Sequence, residues 1–233
     1  MIANYIKEVE NNNKEHFSTS AELREFKQDG VLILNWLKRR RRVYFGPKGY
    51  ELLGIEIPLY LPVGENLDRN VNFLAYIDVV LYDKVFDRVR IIDIKTSTYG
   101  WKEKDKKDPI KKSQVMLYKH YFNKQFGVRL EDIEVEYFIV KRKIYEESEF
   151  PQQRVQTFTP AQGKVTLNKV QKWITEFVTT GFNADGSYNV SHVYPAISGP
   201  DESNCKFCEF KDRPDLCPAD KRIKTVPAKD RDD

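Results

Sequence analysis

Arg88-Val89-Arg90-Ile91-Ile92-Asp93-Ile94-Lys95-Thr96-Ser97 is the stretch whose reading decides the fold. Val89, Ile91, Ile92 and Ile94 are β-branched, and such side chains suit a pleated surface. In a strand, alternate side chains share a face, so Asp93 and Lys95 point one way while Ile92 and Ile94 point the other, into a core. An acid and a lysine on one face of a buried strand are costly to place there without a use. Taken alone, Asp-x-Lys is a weak signal, and an edge strand with a solvated charged face reads the same way.

The surroundings sharpen it. Upstream, Asn72-Phe73-Leu74-Ala75-Tyr76-Ile77-Asp78-Val79-Val80-Leu81-Tyr82 is a second strand-like run with a lone acid, Asp78. Before it, Leu52-Leu53-Gly54-Ile55-Glu56-Ile57-Pro58-Leu59 holds Glu56 in the same kind of setting. Tyr82 to Asp87 reads as the turn of an antiparallel hairpin between the strands bearing Asp78 and Asp93. Glu51 is a competing acid, but it is five positions from Glu56 and so faces the other side of a regular strand. Three carboxylates converging on one point repel each other, and a hard divalent cation relieves that repulsion. Downstream, Gln114 and Tyr118 are four apart on one helix face.

The order Glu56, then Ala75-Tyr76-Ile77-Asp78, then Ile92-Asp93-Ile94-Lys95-Thr96, then Gln114-x-x-x-Tyr118 resembles the core of the PD-(D/E)XK nuclease superfamily, nearest its RecB-like and Cas4-like branch. The resemblance covers residues 50–125 or so. It implies an α/β fold, a central mixed β-sheet flanked by helices in the manner of restriction endonucleases, over residues 1–200. It also implies a metal-dependent DNA nuclease, an exonuclease of recombination, repair or replication. Glu56, Asp78 and Asp93 would hold Mg²⁺ or Mn²⁺. Lys95 would orient or help deprotonate the attacking water, or stabilise developing charge, and Gln114 and Tyr118 would position the strand. The implied substrate is DNA, at ends or as single strands. His16 is the one residue available for the histidine that family members carry before the first strand. The alternative is a catalytically inactive DNA-binding or assembly protein on the same fold. The complete Glu56, Asp78, Asp93 and Lys95 set argues against that, since an inactive descendant has no physical reason to keep buried charges.

At 233 residues, 40% hydrophobic and 32% charged, the chain is long enough to bury a full core and too apolar to be disordered. No run approaches the length of a membrane span, and the first residues lack the apolar region of a signal peptide, so the expected location is intracellular. A net charge of +4 permits nucleic-acid binding without demanding it.

Two basic stretches stand out. Lys38 is followed by Arg39, Arg40, Arg41 and Arg42, at the end of a helix that Thr19 and Glu22 open as a capping box, with Leu23, Phe26, Leu34 and Leu37 as its core contacts. A run of five bases exceeds what a helix dipole needs, which favours phosphate contact beside the site. Residues 97–112 read as a loop carrying Trp101, Lys102, Lys104, Lys106, Lys107, Lys111 and Lys112. It is either a solvated face or a track for a DNA backbone with aromatic stacking. Beyond it, a helix from Ser113 to Phe126 stops at Gly127, residues 132–145 form another strand, and Thr159-Pro160-Ala161-Gln162 starts a last helix packed through Val170, Trp173, Ile174, Phe177 and Val178.

Residues 201–233 form a Cys-rich tail in which Cys205, Cys208 and Cys217, all the cysteines of the chain, fall in a Cys-x2-Cys-x8-Cys pattern. This spacing fits an iron–sulfur cluster or Zn²⁺, or thiols that hold no metal. Cluster-bearing members of the resembled branch add an upstream cysteine, which this chain lacks.

Overall fold

The computed structural model describes residues 18–45, 49–64, 67, 69–145 and 147–224. His16 and the end of the Cys-rich tail lie outside the described residues. The chain divides into two compact units, one up to Val178 and one from Thr179, whereas the sequence reading puts the boundary at residue 200.

The first unit is built on a five-stranded mixed sheet with strands in sequence order: β1 (Tyr50–Pro62), β2 (Asn72–Asp83), β3 (Arg88–Ser97), β4 (Ile133–Lys141) and β5 (Val155–Phe158). Strands β1, β2 and β3 form an antiparallel meander. The expected turn between β2 and β3 is present, with Asp83 Oδ1 accepting hydrogen bonds from Val85 N at 2.9 Å and Phe86 N at 3.2 Å. β4 then runs parallel to β3, which requires a crossover, and α3 (Pro109–Phe126) supplies it. β5 closes the sheet antiparallel to β4.

Each face of the sheet carries its own apolar cluster. Under α3 lie Leu59, Ile77, Val89, Ile91, Tyr137 and Ile139, with Val115, Tyr118 and Phe122 from the helix. On the other face α1 (Ser20–Phe45) lays Ile33, Trp36, Leu37, Tyr44 and Phe45 over Leu81, Ile92, Phe138 and Val140. The α1 N-terminus is the expected capping box: Glu22 Oε2 accepts from Thr19 N at 2.7 Å, and Thr19 Oγ1 accepts from Glu22 N at 3.2 Å. Gly30 does not interrupt the helix.

Several expectations are corrected. Leu34 is 67% exposed and Phe26 38%, because the face of α1 turned to the sheet is set by Ile33, Trp36 and Leu37. Ile94 is 42% exposed and takes no part in the apolar cluster under α1, to which β3 contributes Ile92. The stretch 97–112 is not simply a loop. A short helix, α2 (Glu103–Lys107), leads into α3, which starts at Pro109 because Asp108 caps it by accepting from Ile110 N at 2.9 Å. Gly127, at φ +70°, ends α3 as expected.

The last helix, α4 (Lys164–Gly181), begins five residues after Thr159. Gln162 is occupied elsewhere: its Oε1 accepts from Val135 N at 3.0 Å, short of where β5 begins to pair with β4. In α4, Leu167, Val170 and Val178 are buried, while Phe177 is exposed. No helix among the described residues is long and apolar enough to cross a membrane.

Within the second unit, two isolated bridges join Phe182 to Tyr188 and Ile197 to Ile223. Arg222 ties the cysteine-bearing turns together by donating to the carbonyls of Lys211 and, at 3.3 Å, Cys217. Phe207, Phe210 and Leu216 are exposed, so this segment is held mainly by polar contacts.

Candidate active site

The site forms on the α3 face, where β2 and β3 stop pairing. Their ladder runs from Asp83 and Arg88 to Val79 and Ile92 and goes no further. At the next step the side chain of Asp78 replaces the ladder, its Oδ2 accepting from Ile94 N at 2.6 Å. The half-buried Asp78 is thereby tied to the backbone between Asp93 and Lys95.

Asp93 and Lys95 share a face, as strand alternation requires. Asp93 is 2% exposed, and Lys95 Nζ stands 2.8 Å from Asp93 Oδ2. That oxygen is buried, and Lys95 is its charged partner. Tyr137, in parallel register with Asp93, lies beneath the lysine, with Lys95 Nζ 6.0 Å from its ring centre. Burial, before any other cause, pushes the Asp93 carboxyl above the ordinary carboxylate range. Lys95 pulls it down and the Asp78 charge pushes it up.

The direction of that shift gives a stability prediction. A carboxyl raised by folding contributes stability that is present below its unfolded value and lost as pH rises through its folded value. Asp93→Asn is therefore expected to raise the thermal midpoint of metal-free protein at neutral pH, with the advantage fading as pH falls toward 4. For a chain of this size each 1 kcal/mol corresponds to about 2–4 °C. Melting curves at the two pH values check this, and an Asn variant less stable at neutral pH contradicts it.

Opposite the strand, Gln114 Nε2 donates to the Tyr118 hydroxyl at 2.8 Å. The Tyr118 phenol is pushed up by burial first, and further by the charges of Asp93, Asp78 and Glu56. One buried hydroxyl thus feels all three carboxylates. Glu56 is exposed, within β1. The register on either side, Ile55 with Val79 and Ile57 with Ile77, sets it across from Asp78. Its φ of +53° is uncommon for a residue with a Cβ. A register shift between Leu52 and Gly54 breaks the regular alternation on which the expected opposite facing of Glu51 and Glu56 rested, and Glu51 pairs with Lys84 at 3.0 Å.

A divalent ion can be tested against these residues. Two aspartates present hard oxygen donors, and the buried Asp93 Oδ2, whose partner is the Lys95 ammonium, is one of them. This fits an ion of the Mg²⁺ type, which uses one or two carboxylates, retained waters and substrate phosphate. Among the described residues no three Asp, Glu, His or Cys side chains gather closely enough to hold a metal by themselves.

The other predicted residues separate into groups. Trp101 is packed rather than free: its ring lies 4.8 Å from that of Tyr137, and Gln156 Oε1 accepts from its backbone N at 2.7 Å. Lys106 pairs with Glu103 at 2.7 Å and Lys111 with Asp105 at 2.5 Å, while Lys112 is half-buried. Lys102, Lys104 and Lys107 are exposed. Arg39, Arg40, Arg41 and Arg42 are exposed at the end of α1, on the opposite face of the sheet, so they do not stand beside the site as expected. In the second unit Cys205 is buried, Cys208 exposed and Cys217 half-buried, an arrangement that lends a shared metal centre no support.

Sequence reading missed Lys119, which is buried on α3 and donates to Ile133 O at 2.7 Å. Burial holds its ammonium below the ordinary lysine range. No periodic pattern marks such a residue, since lysines are common on helices.

The sequence profile of the PD-(D/E)XK nuclease superfamily matches residues 4–217. The chain belongs to the PD-(D/E)XK nuclease superfamily. This superfamily consists of nuclease hydrolases that typically use divalent metals, and its substrate class is DNA. Comparison with curated proteins finds no match. A solved structure titled "Crystal structure of SSO0001" aligns with 15% identity and a TM-score of 0.37, over 82% of this chain and 68% of that one.

Proposed function

We propose that this superfamily member is a Mg²⁺- or Mn²⁺-dependent deoxyribonuclease of the RecB-like and Cas4-like branch, acting as an exonuclease in recombination, repair or replication. The observation that carries the reading is the Asp93–Lys95 pair at 2.8 Å, with the Asp78 carboxylate anchored between them on Ile94 N. The branch assignment draws on Gln114 and Tyr118, which are hydrogen-bonded to each other beside that pair.

Asp78 and Asp93 would hold the ion, with Glu56 contributing directly or through water. When bound, the ion polarises the scissile phosphate and activates water at neutral pH. Lys95 supplies a positive charge over the Tyr137 ring, where negative charge develops on the phosphoryl oxygens. Asp93 fixes the position of that ammonium. Tyr118 and Gln114 present polar groups to the strand from the facing helix.

The exposed lysines of α2 give the substrate an electrostatic approach from the same face. Replacing Lys102, Lys104 and Lys107 together with Gln is expected to weaken DNA binding and flatten its salt dependence. Each lost phosphate contact lowers the log–log slope by about 0.7–0.9. A slope equal to that of the unaltered protein means that α2 is only a solvated face.

Digestion of linear against covalently closed circular single-stranded DNA tests the mode of action. An exonuclease degrades the linear form and spares the circle. Equal loss of both overturns the exonuclease reading, and loss of neither in any divalent metal overturns the nuclease reading.

A further inference from the structure

Lys141 is a charge on the catalytic face that the chemistry above leaves unused. In the parallel register of β3 and β4, Tyr137 lies beside Asp93, Ile139 beside Lys95 and Lys141 beside Ser97. Tyr137 and Ile139 belong to the cluster under α3, so alternation turns Lys141 to the same side as Asp93 and Lys95. Two residues at about 3.3 Å and one strand spacing of about 4.8 Å separate the Cα atoms of Lys95 and Lys141 by about 8 Å.

The lysine stem runs beneath Gly100, which has φ +102°; a Cβ there would come within 3.0 Å of Lys141 Cδ. Neighbouring lysines have acids: Lys143 meets Glu25 at 2.6 Å and Lys111 meets Asp105 at 2.5 Å. Lys141 has none among the described residues, and burial alone holds its ammonium below the ordinary lysine range. It opens into a hollow of about 450 Å³ that no carboxylate of the described residues lines, with Gln152, Gln153 and Gln156 among its walls. At the rim stands Tyr99, 46% exposed, its ring stacked on that of Tyr145 at 4.8 Å and 14°.

A half-buried cation that meets no acid among the described residues, beside an exposed ring, forms a site for an anion that carries a flat group. We propose that this hollow is a subsite for single-stranded nucleic acid. Lys141 takes a backbone phosphate about one to two nucleotides from the bond cleaved, and Tyr99, braced by Tyr145, stacks a base. The inference rests on the nuclease reading for what the strand is doing there.

The test is binding of a fluorescent oligothymidylate in EDTA, where nothing is cleaved, so the result does not depend on catalysis. Tyr99→Ala is expected to weaken binding about tenfold, by loss of one stacked base. Tyr99→Phe should bind like the unaltered protein, because stacking needs no hydroxyl. Lys141→Gln should weaken binding and lower the salt slope by about 0.7, as one phosphate contact on a single strand requires. Tyr99→Ala should leave that slope unchanged. Variants that bind as the unaltered protein does overturn the subsite, and if that protein still digests DNA the nuclease reading stands without it. An unaltered protein with no affinity for the oligonucleotide also overturns the subsite.

Discussion

Asp93→Ala is expected to lower DNA cleavage at least about a thousandfold, because it removes a proposed metal ligand and with it several kcal/mol of charge stabilisation. Lys95→Ala is expected to lose about a hundredfold to a thousandfold, the usual effect of deleting one preorganised electrostatic group from a site. The two effects should be far from additive. Lys95 Nζ is held 2.8 Å from Asp93 Oδ2, so each variant also disturbs the group it leaves behind. Binding should change little in either case, since the phosphate contacts proposed for α2 lie elsewhere. Single-turnover cleavage with saturating protein separates the chemical step from affinity. A Lys95→Ala protein that cuts at the unaltered rate would remove the lysine from the mechanism and leave its ion pair with Asp93 without a catalytic use.

The second large effect concerns Tyr137, which joins the fold to the site. Its side chain is fully buried, its ring lies 4.8 Å from Trp101, and its hydroxyl donates to the carbonyl of Lys111 at the start of α3. It also lies in register with Asp93 and beneath Lys95. Tyr137→Ala is expected to cost about 3–5 kcal/mol, as other buried aromatic truncations do. That is a large share of the roughly 5–15 kcal/mol by which domains are stable. Tyr137→Phe removes only the hydroxyl and should cost about 0.5–1.5 kcal/mol. Urea denaturation measures both. Equal midpoints for the two variants would show that the hydroxyl, not the ring, is what the stability of the fold depends on.

Much of the fold is legible in residues 50–126. The β-branched run at 89–94, the turn at 82–87 and the glycine at 127 state their structures locally, and each is found where local chemistry puts it. The misplacements come from contacts that local pattern does not contain. Thr159 and Pro160 look like a helix start, yet Gln162 is engaged by Val135 of a strand 27 residues earlier. Asp108 hides inside a lysine-rich stretch, although it caps α3 and makes Pro109 the first residue of the helix. Ile94 looks like core because strand alternation says where a side chain points, not whether anything covers it there.

The candidate site divides along similar lines. Asp93 and Lys95 could be paired from sequence because they are two apart on one strand, and period two fixes their side. That Asp78 would bond to Ile94 N could not, because it depends on where the β2–β3 ladder stops. The run of Arg39 to Arg42 is conspicuous as charge, but only the packing of α1 reveals that it faces away from Asp93. Lys141 shows the reverse: a single lysine at the end of an apolar strand draws no notice until the register places it beside Ser97 and at the wall of a hollow.

The most direct measurement is digestion of end-labelled single- and double-stranded DNA by unaltered and Asp93→Ala protein, each with Mg²⁺, with Mn²⁺ and with EDTA. Unaltered protein should shorten the DNA in either metal and not in EDTA, and Asp93→Ala protein should do so in none. Cleavage by Asp93→Ala at the unaltered rate, in a preparation free of contaminating nuclease, or cleavage that persists in EDTA, would contradict the assignment of this site.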